Sequence, residues 1–209
     1  MSIDPPRDHS QHGEYLSVVR PFFKELRKTQ RFSRTAVECG VHGPENSNTY
    51  DLVTKDGWEA LWIDASPQAL EMCREHESDS IELLEGALLP LGSPETATLY
   101  IHNSIGHDSL LEDWKPKTHT AATFEVPVFH LATSLDLRAY PHDFALLSID
   151  LEGSDEPVLV EFLECSPFRP WMIIVEHQAL TWLSEAALER AGYERLTRIG
   201  ANDIWTRKP

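Results

Sequence analysis

Apolar and polar positions along the chain follow two alternating rhythms. Short, nearly continuous apolar runs read as buried strands: 35–39 (TAVEC), 60–64 (ALWID), 81–88 (IELLEGAL), 144–150 (FALLSID) and 171–177 (WMIIVEH). Between them, apolar residues return every three or four positions, which reads as helix over 46–57, 66–78, 155–165 and 180–192. Gly57 and Gly192 close two of these helices, and Ser66 followed by Pro67 opens a third as N-cap and first residue. A further helix is expected over 14–30, where Tyr15, Leu16, Val19, Phe22, Phe23 and Leu26 share one face. Pro21 kinks it or starts its second part. Residues 1–13 are polar and are expected to run loosely over the surface. Residues 90–135 break the rhythm, with strand-like 97–102 (ATLYIH) and 127–132 (PVFHLA). The end of the chain, 193–208, reads as a hairpin around Gly200.

Apolar strands alternating with helices predict an α/β fold, a doubly wound, mostly parallel sheet covered on both faces. The terminal hairpin adds antiparallel strands at one edge. That combination suits the Rossmann-like class I methyltransferase layout better than a nicotinamide domain built from repeated βαβ units. In such sheets ligands sit beyond the carboxyl ends of the strands. There the chain places Glu38, Gly40 and Gly43, an acid-x-Gly-x-x-Gly pattern, and Asp64 at the tip of the next strand. A dinucleotide fingerprint needs G-x-G-x-x-G, and the run here is GVHGPE. An acid facing a pyrophosphate is unfavourable. One facing the sulfonium and ammonium of S-adenosylmethionine is not, and Asp64 is placed to accept ribose hydroxyls.

The 209 residues suffice for one domain with a full core, and the 41% apolar and 25% charged fractions are ordinary for a globular protein. No apolar run reaches the roughly 20 residues that span a bilayer, and MSIDPPRDHS lacks the features of a signal peptide, so a cytoplasmic protein is expected. Cys39, Cys73 and Cys165 are too scattered for a disulfide framework or a cysteine zinc site. A formal net charge of −16 argues against nucleic acid as a partner. Nothing in the sequence specifies an oligomeric state.

Four stretches carry a family resemblance: SQHGEYLSVVRPFF, AVECGVHGPENSNTYDL, GWEALWIDASP and SLDLRAYPHDFALLSIDLEGSDEPVLVEFL, with WMIIVEHQ and GANDIWTRK closing the chain. Together they resemble the FkbM-type S-adenosylmethionine-dependent methyltransferases over roughly residues 10 to 208. The resemblance implies a class I fold and methyl transfer, commonly to a hydroxyl oxygen of a sugar or other small acceptor. It implies that Glu38, Gly40 and Gly43 line the methionine end, with Asn46, Ser47 and Thr49 at the next helix start. Asp64, followed by Ala65 and Ser66, would hold the ribose, and Gly86 and Ala87 would lie near the adenine. Cys39, His42, the Asp-Ala-Ser at 64–66 and His177 depart from the family's usual residues.

SIDLEGSDE puts Asp150, Glu152, Asp155 and Glu156 within seven residues. Ser154 is a candidate N-cap, and Asp155 and Glu156 read as helix-start acids. Asp150 closes its strand at the cleft and has no such role. It joins Glu176 and His177 as a candidate base for an acceptor hydroxyl. Asp150 and Glu152, with Glu176 or His177 nearby, are also a candidate divalent-cation site. Residues 90–142 are expected to shape the acceptor side of a single domain, with residues 1–30 forming an N-terminal arm and helix. Three other readings compete: N-methylation or methylation of a protein or lipid-linked glycan, a non-catalytic cofactor-binding or interaction module, and a nicotinamide oxidoreductase. Glu38, Gly40, Gly43 and Asp64 occurring together weigh against the module, and the missing glycine weighs against the oxidoreductase.

Overall fold

A computed structural model describes residues 7–102, 107–112 and 120–208. A short π-helical stretch, Tyr15–Val19, passes into helix α1, Arg20–Leu26, with Pro21 in its first turn. Proline has no N–H to donate, so the change of winding falls where a donor is not needed. The chain continues as β1 (Thr35–Cys39), α2 (Tyr50–Asp56), β2 (Glu59–Asp64), α3 (Pro67–Arg74), β3 (Ile81–Glu85) and β4 (Ala87–Leu88). Then come β5 (Thr96–His102), β6 (Thr120–Phe129), α4 (Leu131–Leu137), β7 (Leu146–Ile149), α5 (Asp155–Cys165) and β8 (Met172–Glu176). A 3-10 turn, α6 (Trp182–Arg190), β9 (Tyr193–Ile199) and β10 (Asn202–Arg207) complete it.

The main sheet has seven strands in the order β3-β2-β1-β7-β8-β10-β9. The first five run parallel, and β10 is antiparallel to both neighbours. From β1 the chain winds outward to β3 and later returns to β7 on the other side of β1, so the topological switch point lies between β1 and β7. Within the hairpin, NDIWTR is buried along most of its length and takes the inner position. YERLTRI exposes Glu194, Arg195 and Leu196 and forms the edge.

Strand side chains alternate between faces, and the two main cores follow that alternation. Val37, Leu147, Ile149, Ile173 and Val175 pack with Val158, Leu159 and Phe162 of α5 and with Leu131 and Leu135 of α4. Ala36, Leu146, Met172, Ile174 and Ile204 face the other way, onto Tyr15, Val19, Phe23, Leu52 and Trp58. Among the described residues no helix is long and apolar enough to cross a membrane.

Several sequence expectations are corrected. The expected 81–88 strand breaks at Gly86, and β4 leaves for a second sheet of order β4-β6-β5. A Cβ at Gly86 would lie 2.5 Å from the Phe129 ring and 2.7 Å from Pro127 O, so only glycine allows this crossing. The strand expected over 127–132 stops at Phe129. Leu131 and Leu135 face α5 at helical spacing, and that packing outweighs the strand pattern. The helix expected from residue 46 begins at Tyr50, because a buried acid holds residues 47–49. Residues 7–13 are anchored rather than loose. Asp8 accepts the Ser10 and Leu16 N–H groups, His9 N–H donates to Asp51, and Asn46 N–H donates to His9 O.

Candidate functional site

The carboxyl ends of β1, β2 and β7 open into a cleft of about 400 Å³ at the switch point. The turn after β1 lies directly over the end of β7. Gly40 N–H donates to Ile63 O at 2.8 Å, and Asp150 N–H donates to Cys39 O at 2.9 Å. Gly40 has φ +82°, and a Cβ there would stand 1.6 Å from Asp150 O. Gly43 follows in the same turn, against Met72 of α3.

Glu38 lines the cleft but is 4% exposed, and its own chain takes both of its oxygens. The Ser47 and Thr49 hydroxyls donate to Oε2 at 2.6 and 2.5 Å, and Asn48 N–H donates to Oε1 at 2.8 Å. Burial raises the carboxyl's pKa, and these bonds oppose the rise. Thr49 Oγ1 also accepts Trp62 Nε1–H at 2.8 Å, and Asn48 Nδ2 reaches Ser148 Oγ of β7 at 3.0 Å. Glu38 therefore fixes the entry to α2 and the shape of the cleft wall. Glu38→Ala strands several buried donors and is expected to cost about 3 kcal/mol. Thermal unfolding should show a melting point lower by roughly 6–12 °C. A loss of a degree or less would show that Glu38 does not hold this wall.

Asp64 ends β2 with Oδ1 accepting Ser66 N–H at 2.7 Å. Burial pushes its pKa up to about 7, and the nearby Asp108 charge adds to that, against the pull of the Ser66 and Ala65 N–H groups. Ser66 is the N-cap of α3, accepting Ala69 N–H, and its hydroxyl donates to Asp108 Oδ2 at 2.6 Å. Ala65, Gly86 and Ala87 line the same wall.

Of the acid cluster, Asp150 and Glu152 line the cleft, as does Glu176 at the end of β8. His177 does not. Its Nδ1 lies 3.0 Å from buried Asp203 Oδ2 and 2.7 Å from Arg198 Nη2, on the hairpin. Ser154 occupies the N-cap position of α5 but accepts no capping bond. Asp155, fully buried, instead accepts Leu151 N–H at 2.6 Å and Gly153 N–H at 3.1 Å, bracing the turn in which Glu152 has φ +47°. Among the described residues no group of three or more His, Cys, Asp or Glu could hold a metal ion, so the cation expected at Asp150 and Glu152 finds no support.

Of the other sequence-predicted residues, Asn46 lines the cleft, while Ser47 and Thr49 act on Glu38 from behind the wall. Sequence reasoning missed Asn48, Ser148, His107, Asp108, Gln11 and Asn202, all of which line the cleft. The signal for the last two lay in the quoted stretches SQHGEY and GANDIW. Asn202 Nδ2 donates to Glu14 Oε1 at 2.7 Å and Gln11 Oε1 at 3.1 Å, which joins the two ends of the chain. Asp108 sits in the irregular segment, where no spacing marks it.

The methyltransferase FkbM domain model matches residues 12–194. No curated protein matches the chain. Among solved structures it is similar to methyltransferase FkbM from Methylobacillus flagellatus KT, with 15% identity and a TM-score of 0.46, over 86% of this chain and 45% of that one. The chain thus spans less than half the length of that protein. It is also similar to precorrin-6y C5,15-methyltransferase from Geobacter metallireducens GS-15, with 14% identity and a TM-score of 0.43, over 87% of this chain and 83% of that one. A SAM-dependent methyltransferase from Aquifex aeolicus shows 13% identity and a TM-score of 0.41, over 92% and 90% of the two chains. With a family match across most of its length, and with the switch-point cleft in place, this chain belongs to the FkbM family of S-adenosylmethionine-dependent methyltransferases.

Proposed function

We propose that the domain transfers a methyl group from S-adenosylmethionine to a hydroxyl oxygen of a small hydroxylated or sugar-containing acceptor. The observation that supports this best is the pairing, in one cleft, of a β2-tip carboxylate, Asp64, with two further carboxylates, Asp150 and Glu176, at the tips of β7 and β8. The residues fit the cofactor. Asp64 offers a carboxylate to ribose hydroxyls, and Gly86 and Ala87 line the wall beside it, where the adenine would lie. The Gly40 turn brings backbone, with no side chain intervening, to the cleft wall.

When bound, the sulfonium supplies an already activated methyl group. The chain's task is then to position an acceptor oxygen in line and to receive its proton. Asp150 and Glu176 are the proton acceptors in this reading. Leu99 and Leu110, from the irregular segment, contribute apolar surface on which an acceptor rests.

Titration calorimetry with S-adenosylhomocysteine tests the donor, and absence of heat with folded protein would sink it. Isotopic methyl transfer to a panel of hydroxylated and glycosidic compounds tests the acceptor. Ethers are the expected product, and exclusive N-methylation would overturn the oxygen assignment. In that assay Glu176→Gln is expected to lower kcat by about 100-fold while S-adenosylhomocysteine affinity stays within about twofold. An unchanged kcat would remove Glu176 from the chemistry.

A further inference from the structure

A second cavity, about 660 Å³, lies between α1, the segment entering β1 and the segment entering β2. These are the amino-terminal ends of the parallel strands. The methyl-transfer cleft is at their carboxyl ends, one strand length away, or roughly 17 Å for a five-residue strand.

Three rings form the floor of this groove. Phe23 packs edge-on against Trp58 with centroids 4.9 Å apart, and Phe32 lies 5.2 Å from Phe23 and 6.0 Å from Trp58. Four cations surround them: Arg20, Lys24, Arg27 and Arg34. The groove's two carboxylates are already engaged, Glu25 by Lys28 at 2.7 Å and Asp56 by Tyr15 and Arg20. Lys24, Arg27 and Arg34 form no ion pair among the described residues.

This arrangement runs against the rest of the chain. Residues 20–34 carry six of its 18 Lys and Arg and a single acid, in a protein whose formal charge is −16. Solubility does not require it, because acidity already supplies that elsewhere. Like charges held around a concavity repel one another, and a bound anion relieves that repulsion. Arginine offers planar, paired donors that match carboxylate, phosphate or sulfonate oxygens. The ring floor suits a flat apolar body, and the volume falls in the range of small-molecule pockets, about 300–1,000 Å³.

We propose that this groove binds a small organic anion with an aromatic body, its charge held by Lys24, Arg27 and Arg34 and its body resting against Phe23, Phe32 and Trp58, separately from the methyl-transfer cleft. The probe is 8-anilinonaphthalene-1-sulfonate, titrated by fluorescence against the full chain at low salt. One saturable site is expected. The double variant Arg27→Glu/Arg34→Glu should weaken it by about tenfold or more. The control double variant Arg74→Glu/Arg190→Glu, an equal charge change on α3 and α6, should alter it by less than about twofold. All of these positions are exposed, and unchanged thermal unfolding of the variants excludes loss of fold. Two companion titrations test the two halves of the site. A neutral naphthyl alcohol should bind at least about tenfold more weakly than the probe, and inorganic phosphate should do the same. If the double variant binds the probe like the parent, the site is elsewhere and the proposal falls. It also falls if phosphate alone binds as tightly as the aromatic anion, because the ring floor then contributes nothing.

Discussion

Gly40→Ala is expected to destabilise the domain by more than about 4 kcal/mol, lowering the melting point by roughly 10 °C or more. Two costs combine. Gly40 has φ +82°, a conformation that disfavours any side chain, and the added methyl would lie 1.6 Å from Asp150 O. That carbonyl has little room to retreat, because the N–H of the same residue is bonded to Cys39 O at 2.9 Å and β7 is registered against β1 along its length. Relief therefore requires separating the two central strands, which disturbs the core and the cleft together. Gly57→Ala isolates the first cost. Gly57 also has positive φ, +68°, at the end of α2, but its Cβ would meet nothing within 4 Å. That variant should lose only about 1 kcal/mol, or roughly 2–4 °C. Equal melting points for the two would show that the strands do not approach as closely as described.

The same glycine illustrates how far sequence alone reaches. A strand, a glycine turn and a helix are legible in TAVECGVHGPENSNTYDL, because apolar runs and punctuating glycines are local signals. Which atom Gly40 must avoid is not legible, since Asp150 lies 110 residues further on. Glu38 shows the same limit. An acid at a strand tip pointed to a ligand, yet nearby Ser47, Asn48 and Thr49 saturate its oxygens, and only the folded turn brings them within reach. For His177 the apolar run does not show where the strand stops: β8 ends at Glu176, and a 3-10 turn starting at His177 carries that ring to Asp203 and Arg198 of the hairpin. Asp108 had no local signal at all. It enters the site because Ser66 Oγ and His102 N–H draw its two oxygens to the β2 tip.

Asp64→Asn is expected to move stability and cofactor affinity in opposite directions, both as functions of pH. Burial holds the folded carboxyl at about 7, against 3.8 for an unperturbed aspartate. Between those values the folded chain keeps a proton that the unfolded chain has lost. The stability contributed by the protonated form is full below about pH 4 and is lost as pH rises through 7. Above pH 7 the ionised Asp64 costs about 4 kcal/mol at most, from three units at about 1.4 kcal/mol each. Asparagine keeps the acceptor for Ser66 N–H and carries no charge. The variant should therefore match the parent near pH 4 and be more stable than it at pH 8, as chemical denaturation at the two pH values would show. Ribose hydroxyls, as donors, favour the ionised carboxylate. The parent's affinity for S-adenosylhomocysteine should rise as pH climbs through 7, while the variant's should be flat and about 10- to 100-fold weaker at pH 8. Greater stability without weaker binding would mean that Asp64 is a buried acid outside the ribose contact. Weaker binding with the parent's slope intact would assign that titration to another group in the cleft.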